Sequence, residues 1–157
     1  MRHRGVATLA ALGFALAVAG CGGGGDATPL TKAQYEQHLA TDSRAITKAF
    51  QPLSTPPSSL SALASQLKVG QEKLRSAADD LNGVTPPKDV EKDNQALAKG
   101  LQTLADELES LRSAAAKKDP ALVQKALNDL KSSHALVDAR AATDDMRKKG
   151  YKLGGFS

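Results

Sequence analysis

Residues 90–115, VEKDNQALAKGLQTLADELESLRSAA, carry the longest regular pattern in the chain. Val90, Asn94, Leu97, Leu101, Leu104, Leu108, Leu111 and Ala115 recur at alternating steps of four and three. Those steps place all eight on one face of an α-helix, with one polar residue in an otherwise apolar stripe. Proline is tolerated in a helix's first turn, so the helix is expected to start near Pro86 or Pro87. It should run for about 30 residues, or roughly 45 Å. A single helix cannot bury such a stripe alone, so its flanking segments decide the fold.

On the N-terminal side, Leu60, Leu63, Leu67, Gly70, Leu74, Ala77 and Leu81 repeat the same stepping. This predicts a helix over about 60–81. Asn82 and Gly83 suit a left-handed C-terminal cap, and NGVTPP (82–87) stops it. Further upstream, Thr31 with Gln34 fits a capping box, and Leu30 with Tyr35 fits the hydrophobic staple around it. The helix they open carries Tyr35, Leu39, Ile46 and Phe50, with Asp42 in the stripe between them. Three prolines in QPLSTPPSS (51–59) end it. On the C-terminal side, KKDP (117–120) closes the long helix. Asp119 then serves as N-cap and Pro120 as first helical residue. A fourth helix carries Val123, Leu127, Leu130, His134, Val137 and Ala141 and stops at Gly150.

Four amphipathic helices on mostly short connections predict an all-α fold, an up-down-up-down four-helix bundle over residues 30–150. Residues 151–157 form a short tail. Steps near 3.5 residues favour shallow, coiled-coil-like crossing. Prolines at 52, 56, 57, 86, 87 and 120 cut the chain too often for one long coiled coil.

The 157 residues suit one domain, with 41% hydrophobic and 24% charged residues. Aromatics make up 3% and tryptophan is absent, so Leu, Ala, Val and Ile must fill the core. The formal net charge is +4, and Arg2 and Arg4 supply two of those charges. The bias is too weak for nucleic acid, which needs a dense phosphate-facing surface.

The N-terminus reads as an export signal over residues 1–20. Arg2 and Arg4 precede the uncharged VATLAALGFALAV (6–18), which is shorter than the roughly 20 residues of a membrane-spanning helix. VAGC (18–21) follows and resembles the lipobox of bacterial lipoproteins: an aliphatic residue, two small residues, then cysteine. The resemblance implies that Cys21 receives a diacylglyceryl thioether and, after cleavage between Gly20 and Cys21, becomes an acylated N-terminus. A thiolate suits that role as a nucleophile. Two or more long acyl chains, each about 0.8 kcal/mol per buried CH₂, make such anchoring stable. GGGGDATP (22–29) extends the segment into a flexible tether over 21–29. As the only cysteine, Cys21 leaves no internal disulfide to staple the domain.

No zinc-type cysteine pair, H-E-x-x-H, E-x-x-H, C-x-x-C-H, G-x-G-x-x-G, Walker loop or G-x-S-x-G is present. No catalytic residue, metal or cofactor is expected. One polar constellation stands out. Folding the helices back at their turns sets Gly70 level with Gly100, and Asp42 and His134 in the same layer. Three readings fit: a small polar ligand pocket, a buried Asp42–His134 pair that fixes helix register, or two side chains angled to the rim. Asn94 reads as a register or rim residue. The basic RKKGYK (147–152) complements a helix C-terminus or touches an anionic lipid or wall polymer.

The lipobox, LTKAQYEQHLATDSRAITKAF (30–50) and RKKGYKLGGF (147–156) together resemble small helical lipoproteins of actinobacterial type. Many of these begin their mature domain with LTKAEY followed by Ala-Ile-Cys and end in Gly-aromatic-x-x-Cys-Gly. Leu30 to Tyr35, Ala45-Ile46, Gly150-Tyr151-Lys152 and Gly155 carry the match. The two family cysteines fall on Thr47 and Gly154 here, so a bridge between the first helix and the tail would be missing. The resemblance implies a surface lipoprotein and transfers no catalytic residue.

The sequence therefore predicts a non-enzymatic binding or interaction module, anchored to the cell membrane or outer membrane by lipid on Cys21 and facing the extracytoplasmic side. Its expected partners are the membrane and an envelope protein or polyanion, with no nucleic acid. The alternative is a small-ligand carrier or sensor with its pocket at Asp42 and His134.

Overall fold

The computed structural model describes residues 28–156. The export signal, Cys21 and most of the tether lie outside the described residues. Within them the chain folds as an all-α four-helix bundle, and no helix is long and apolar enough to cross a membrane. The elements are α1 (Lys32–Phe50), α2 (Leu60–Gly83), α3 (Glu91–Ala116), α4 (Pro120–Lys131) and α5 (His134–Lys148). Together α4 and α5 form the fourth arm. Short 3₁₀ turns at Gln51–Ser54 and Lys88–Val90 precede α2 and α3.

The local start signals act as the sequence predicts. The Thr31 hydroxyl accepts from the Gln34 amide, and the Gln34 side chain accepts from the Thr31 amide. Asp119 Oδ1 accepts from the Ala121 and Leu122 amides at 3.0 and 3.1 Å. Each cap supplies a partner to amides that lack one inside the first turn. Gly150 has φ +79°. There the Gly150 and Tyr151 amides donate to the Arg147 and Met146 carbonyls, which is the Schellman closure of α5.

The cap expected at Gly83 is not left-handed. Gly83 is the last residue of α2, and the chain leaves through an extended Val84. At the end of α3, by contrast, Lys118 is left-handed (φ 56°), and the Asp119 amide reaches back to the Ala114 carbonyl. A side chain with a Cβ is strained in that conformation. Lys118→Gly is expected to raise the unfolding free energy by about 1 kcal/mol, read by thermal unfolding. No gain would mean that Lys118 does not hold this conformation in solution.

At the centre lies α3, which packs on α2, α4 and α5, while α1 packs on α2. Its predicted stripe is buried except for half-buried Leu104, and Ala98, Gly100, Ala105 and Ala114 are buried beside it. A helix with three neighbours needs apolar or small residues over more than one face. Two buried side chains lock the heights. Gln71 Nε2 donates to the Ala105 carbonyl at 2.8 Å, and Asn94 Nδ2 donates to the Leu81 carbonyl at 2.9 Å.

The fourth arm departs from one continuous helix. The Ser132 hydroxyl donates back to the Asp129 carbonyl, and the Ser133 hydroxyl accepts from the Ala135 amide. Adjacent serines thus end one helix and cap the next. The break resets the phase. The buried residues of α5 are Ala135, Ala142, Thr143 and Met146, whereas His134, Val137 and Ala141 of the predicted stripe are exposed. The observed face sits one residue later than the sequence stepping placed it.

The last residues are part of the core. Tyr151 and Leu153 are buried. The Gly155 amide donates to Ser43 Oγ at 2.9 Å, and the Lys152 amide donates to Glu36 Oε1 at 3.0 Å. The segment thereby straps α1 to the end of α5 without a covalent bridge.

Candidate functional site

The predicted layer of Asp42, His134 and two glycines does not assemble. Gly70 lies level with residue 105, five residues or about 7 Å along α3 from Gly100. Neither glycine leaves room. A Cβ on Gly70 would come within 2.7 Å of the Phe50 ring, and one on Gly100 within 2.9 Å of the Ala139 Cβ. Both glycines serve close packing. Asp42 and His134 also sit on opposite sides, because α1 lies on α2 whereas α5 lies on α3.

Asp42 is buried in the α1–α2 seam, one turn from His38 and facing Asp80. His38 Nε2 and Asp42 Oδ2 are 3.5 Å apart, and neither has a hydrogen-bond partner. Burial pushes the Asp42 carboxyl above the ordinary carboxylate value. His38 pulls it down and Asp80 pushes it up. The i, i+4 spacing of His38 and Asp42 was legible in the sequence, but its burial was not.

A raised folded-state value means that the ionised carboxylate disfavours the fold, so stability is lost as pH rises through that value. Asp42→Asn removes the charge and offers an amide donor to His38 Nε2. The variant should be nearly neutral in effect below the ordinary carboxylate value, where Asp42 is protonated in both states. It should gain about 1 kcal/mol at neutral pH. Urea unfolding across pH 3 to 8 checks this, and a gain that shrinks with rising pH would sink it.

His134 lines a cleft of about 740 Å³ between α3 and the α4–α5 elbow. The cleft lies where the serine break separates α4 from α5, both of which pack on α3. Ala96, Gly100 and Thr103 line it from α3, and Ala135, Asp138 and Ala142 from α5. Its lining holds Asp93, Glu107, Asp129, Asp138 and Asp145 with Lys92 and Lys99. Three of those carboxylates are already paired: Asp93 with Lys149, Asp145 with Lys148 and Asp129 with Lys125, at 2.6 to 2.8 Å. The Lys148 hydrogen bond holds the Asp145 carboxyl below its ordinary value. Glu107 Oε2 is buried without a partner.

Ser133, His134 and Asp138 adjoin one another in this cleft, yet the Ser132 and Ser133 hydroxyls are engaged at helix ends. Among the described residues no hydroxyl of the cleft hydrogen-bonds His134, and no group of three His, Cys, Asp or Glu is placed to hold a metal ion. The chemistry on offer is polar recognition across an open surface.

A second depression flanks the other side of α5. Its floor is Leu97, Leu101 and Leu104, and its rim carries Arg140 and Arg147. Gly100 and Ala135 line both depressions, so the first turn of α5, pressed on Gly100, is the wall between them. Sequence stepping missed this groove because it assigned the wrong face of α5. The visible signal was the Leu136-Val137 pair just after two serines.

Asn94 is buried rather than at the rim. It accepts from the Tyr35 hydroxyl at 2.8 Å while donating to Leu81, and so ties α1, α2 and α3 at one height. The basic RKKGYK segment is largely committed: Arg147 to Asp144, Lys148 to Asp145 and Lys149 to Asp93. The chain matches no protein-family model, no curated protein and no solved structure.

Proposed function

We propose that this chain is a lipid-anchored helical-bundle lipoprotein on the extracytoplasmic side of the cell membrane or outer membrane, acting without catalysis as a binding module. The observation that carries the binding half is the pair of open depressions flanking α5, beside an interior filled with side chains. Polar and apolar surfaces meet there across one helical turn. The anchor half is supported by VAGC (18–21) behind its apolar run.

Cys21→Ser is expected to abolish palmitate incorporation and to leave the chain unprocessed, with its apolar run still attached. Detection of incorporated palmitate and the size of the chain check this. Palmitate incorporation or processing as in the parent would end the lipoprotein reading. The second reading, a small-ligand carrier or sensor, is favoured by the size of the apolar groove, with its site moved from Asp42 and His134 to the surface beside α5.

A further inference from the structure

The groove beside α5 joins an apolar floor to an uncommitted cation. Leu97, Leu101 and Leu104 form its floor, Leu136 its wall, and Phe156 borders it. Leu136 is 46% exposed, so the apolar surface of the floor continues onto an accessible wall. Its two arginines differ. Arg147 is held by Asp144 and donates to the Phe156 carbonyl. Arg140 gives its backbone carbonyl to Thr143, and its guanidinium takes no partner among the described residues.

Size selects the occupant. The groove holds about 390 Å³, near the small end of the roughly 300–1,000 Å³ range of small-molecule sites. Along α5 from Ala135 to Arg147 it is about 18 Å long. One aliphatic chain fits, and a guanidinium is the side chain best matched to a carboxylate, by two parallel N–H bonds.

We propose that this groove binds a fatty acid, with its carboxylate on Arg140 and its chain laid over Leu136, Leu101 and Leu104. The proposal rests on the binding half of the function above and not on the lipid anchor.

The test uses the full chain in two forms, as processed and as Cys21→Ser, titrated calorimetrically with laurate and with 1-dodecanol. Both forms are expected to bind one laurate saturably. Arg140→Gln should weaken laurate at least tenfold and leave dodecanol within twofold, because only the head contact is removed. Leu136→Asp should weaken both at least tenfold. Both substituted positions are exposed, so the fold survives, and circular dichroism checks that it does. Absence of saturable laurate binding, or Arg140→Gln binding laurate as the parent does, overturns the proposal. Binding by Cys21→Ser but not by the processed chain also overturns it, since the groove would then hold the protein's own acyl group. None of these failures touches the Cys21 palmitate and processing result.

Discussion

Tyr151→Ala is expected to lower the unfolding free energy by about 3–5 kcal/mol, the range for removing a buried aromatic side chain. Tyr151 is 5% exposed although it lies beyond the last helix. Its ring meets the Tyr35 ring edge-on at 6.0 Å, and Lys32 Nζ sits 4.5 Å from its centroid. Its hydroxyl donates to Asp89 Oδ1 at 2.9 Å. Burial, then that hydrogen bond, pushes the hydroxyl up to about 12, so it stays protonated and the bond persists throughout the neutral range. One side chain therefore joins the start of α1, the turn before α3 and the end of α5. Tyr151→Phe keeps the ring and loses only the hydroxyl, and should cost about 0.5–1.5 kcal/mol. Urea unfolding of the two variants separates packing from hydrogen bonding. A Tyr151→Ala loss below 1 kcal/mol would mean that the tail does not dock.

Asn94→Ala is expected to cost about 2–4 kcal/mol, because it strands two buried groups, each worth about 1–3 kcal/mol when unpaired. The Tyr35 hydroxyl loses its acceptor and the Leu81 carbonyl its donor. Burial and the nearby Asp93 push the Tyr35 hydroxyl upward, so it cannot relieve the loss by ionising. Tyr35→Phe strands only Asn94 Oδ1 and should cost about 1–2 kcal/mol. The pair shares one hydrogen bond, so the double variant Tyr35→Phe/Asn94→Ala should cost clearly less than the two single losses summed. Strict additivity in that cycle would argue that the Tyr35–Asn94 bond is not formed in solution.

These two sites show where sequence reading stops. Asn94 was visible as the polar member of an apolar stripe, but its partners lie 59 and 13 residues away in the chain. Tyr151 was visible as an aromatic after a helix stop and within the tail that carries the lipoprotein resemblance. Its burial follows from the docking of the tail against α1 and the turn before α3, which no local pattern describes. The same holds for Asp42, whose stripe position was correct and whose predicted partner was not.

Helix existence and helix ends were legible because their causes are local. A capping hydroxyl, a proline in the first turn, a left-handed glycine and a stripe stepping by three and four all act within a few residues. That is why Thr31, Asp119, Gly150 and the α3 face could be read directly. The phase of α5, the use of Gly70 and Gly100 for contact, the docking of the tail and the groove beside Arg140 depend on which helices touch. Two serines reset a helix by one residue, about 100° of rotation, and with it which side chains face α3. Rotations of that size leave the spacing pattern nearly intact, so the periodicity alone cannot distinguish them. Close packing against Gly100 can, because only one face of α5 fits there.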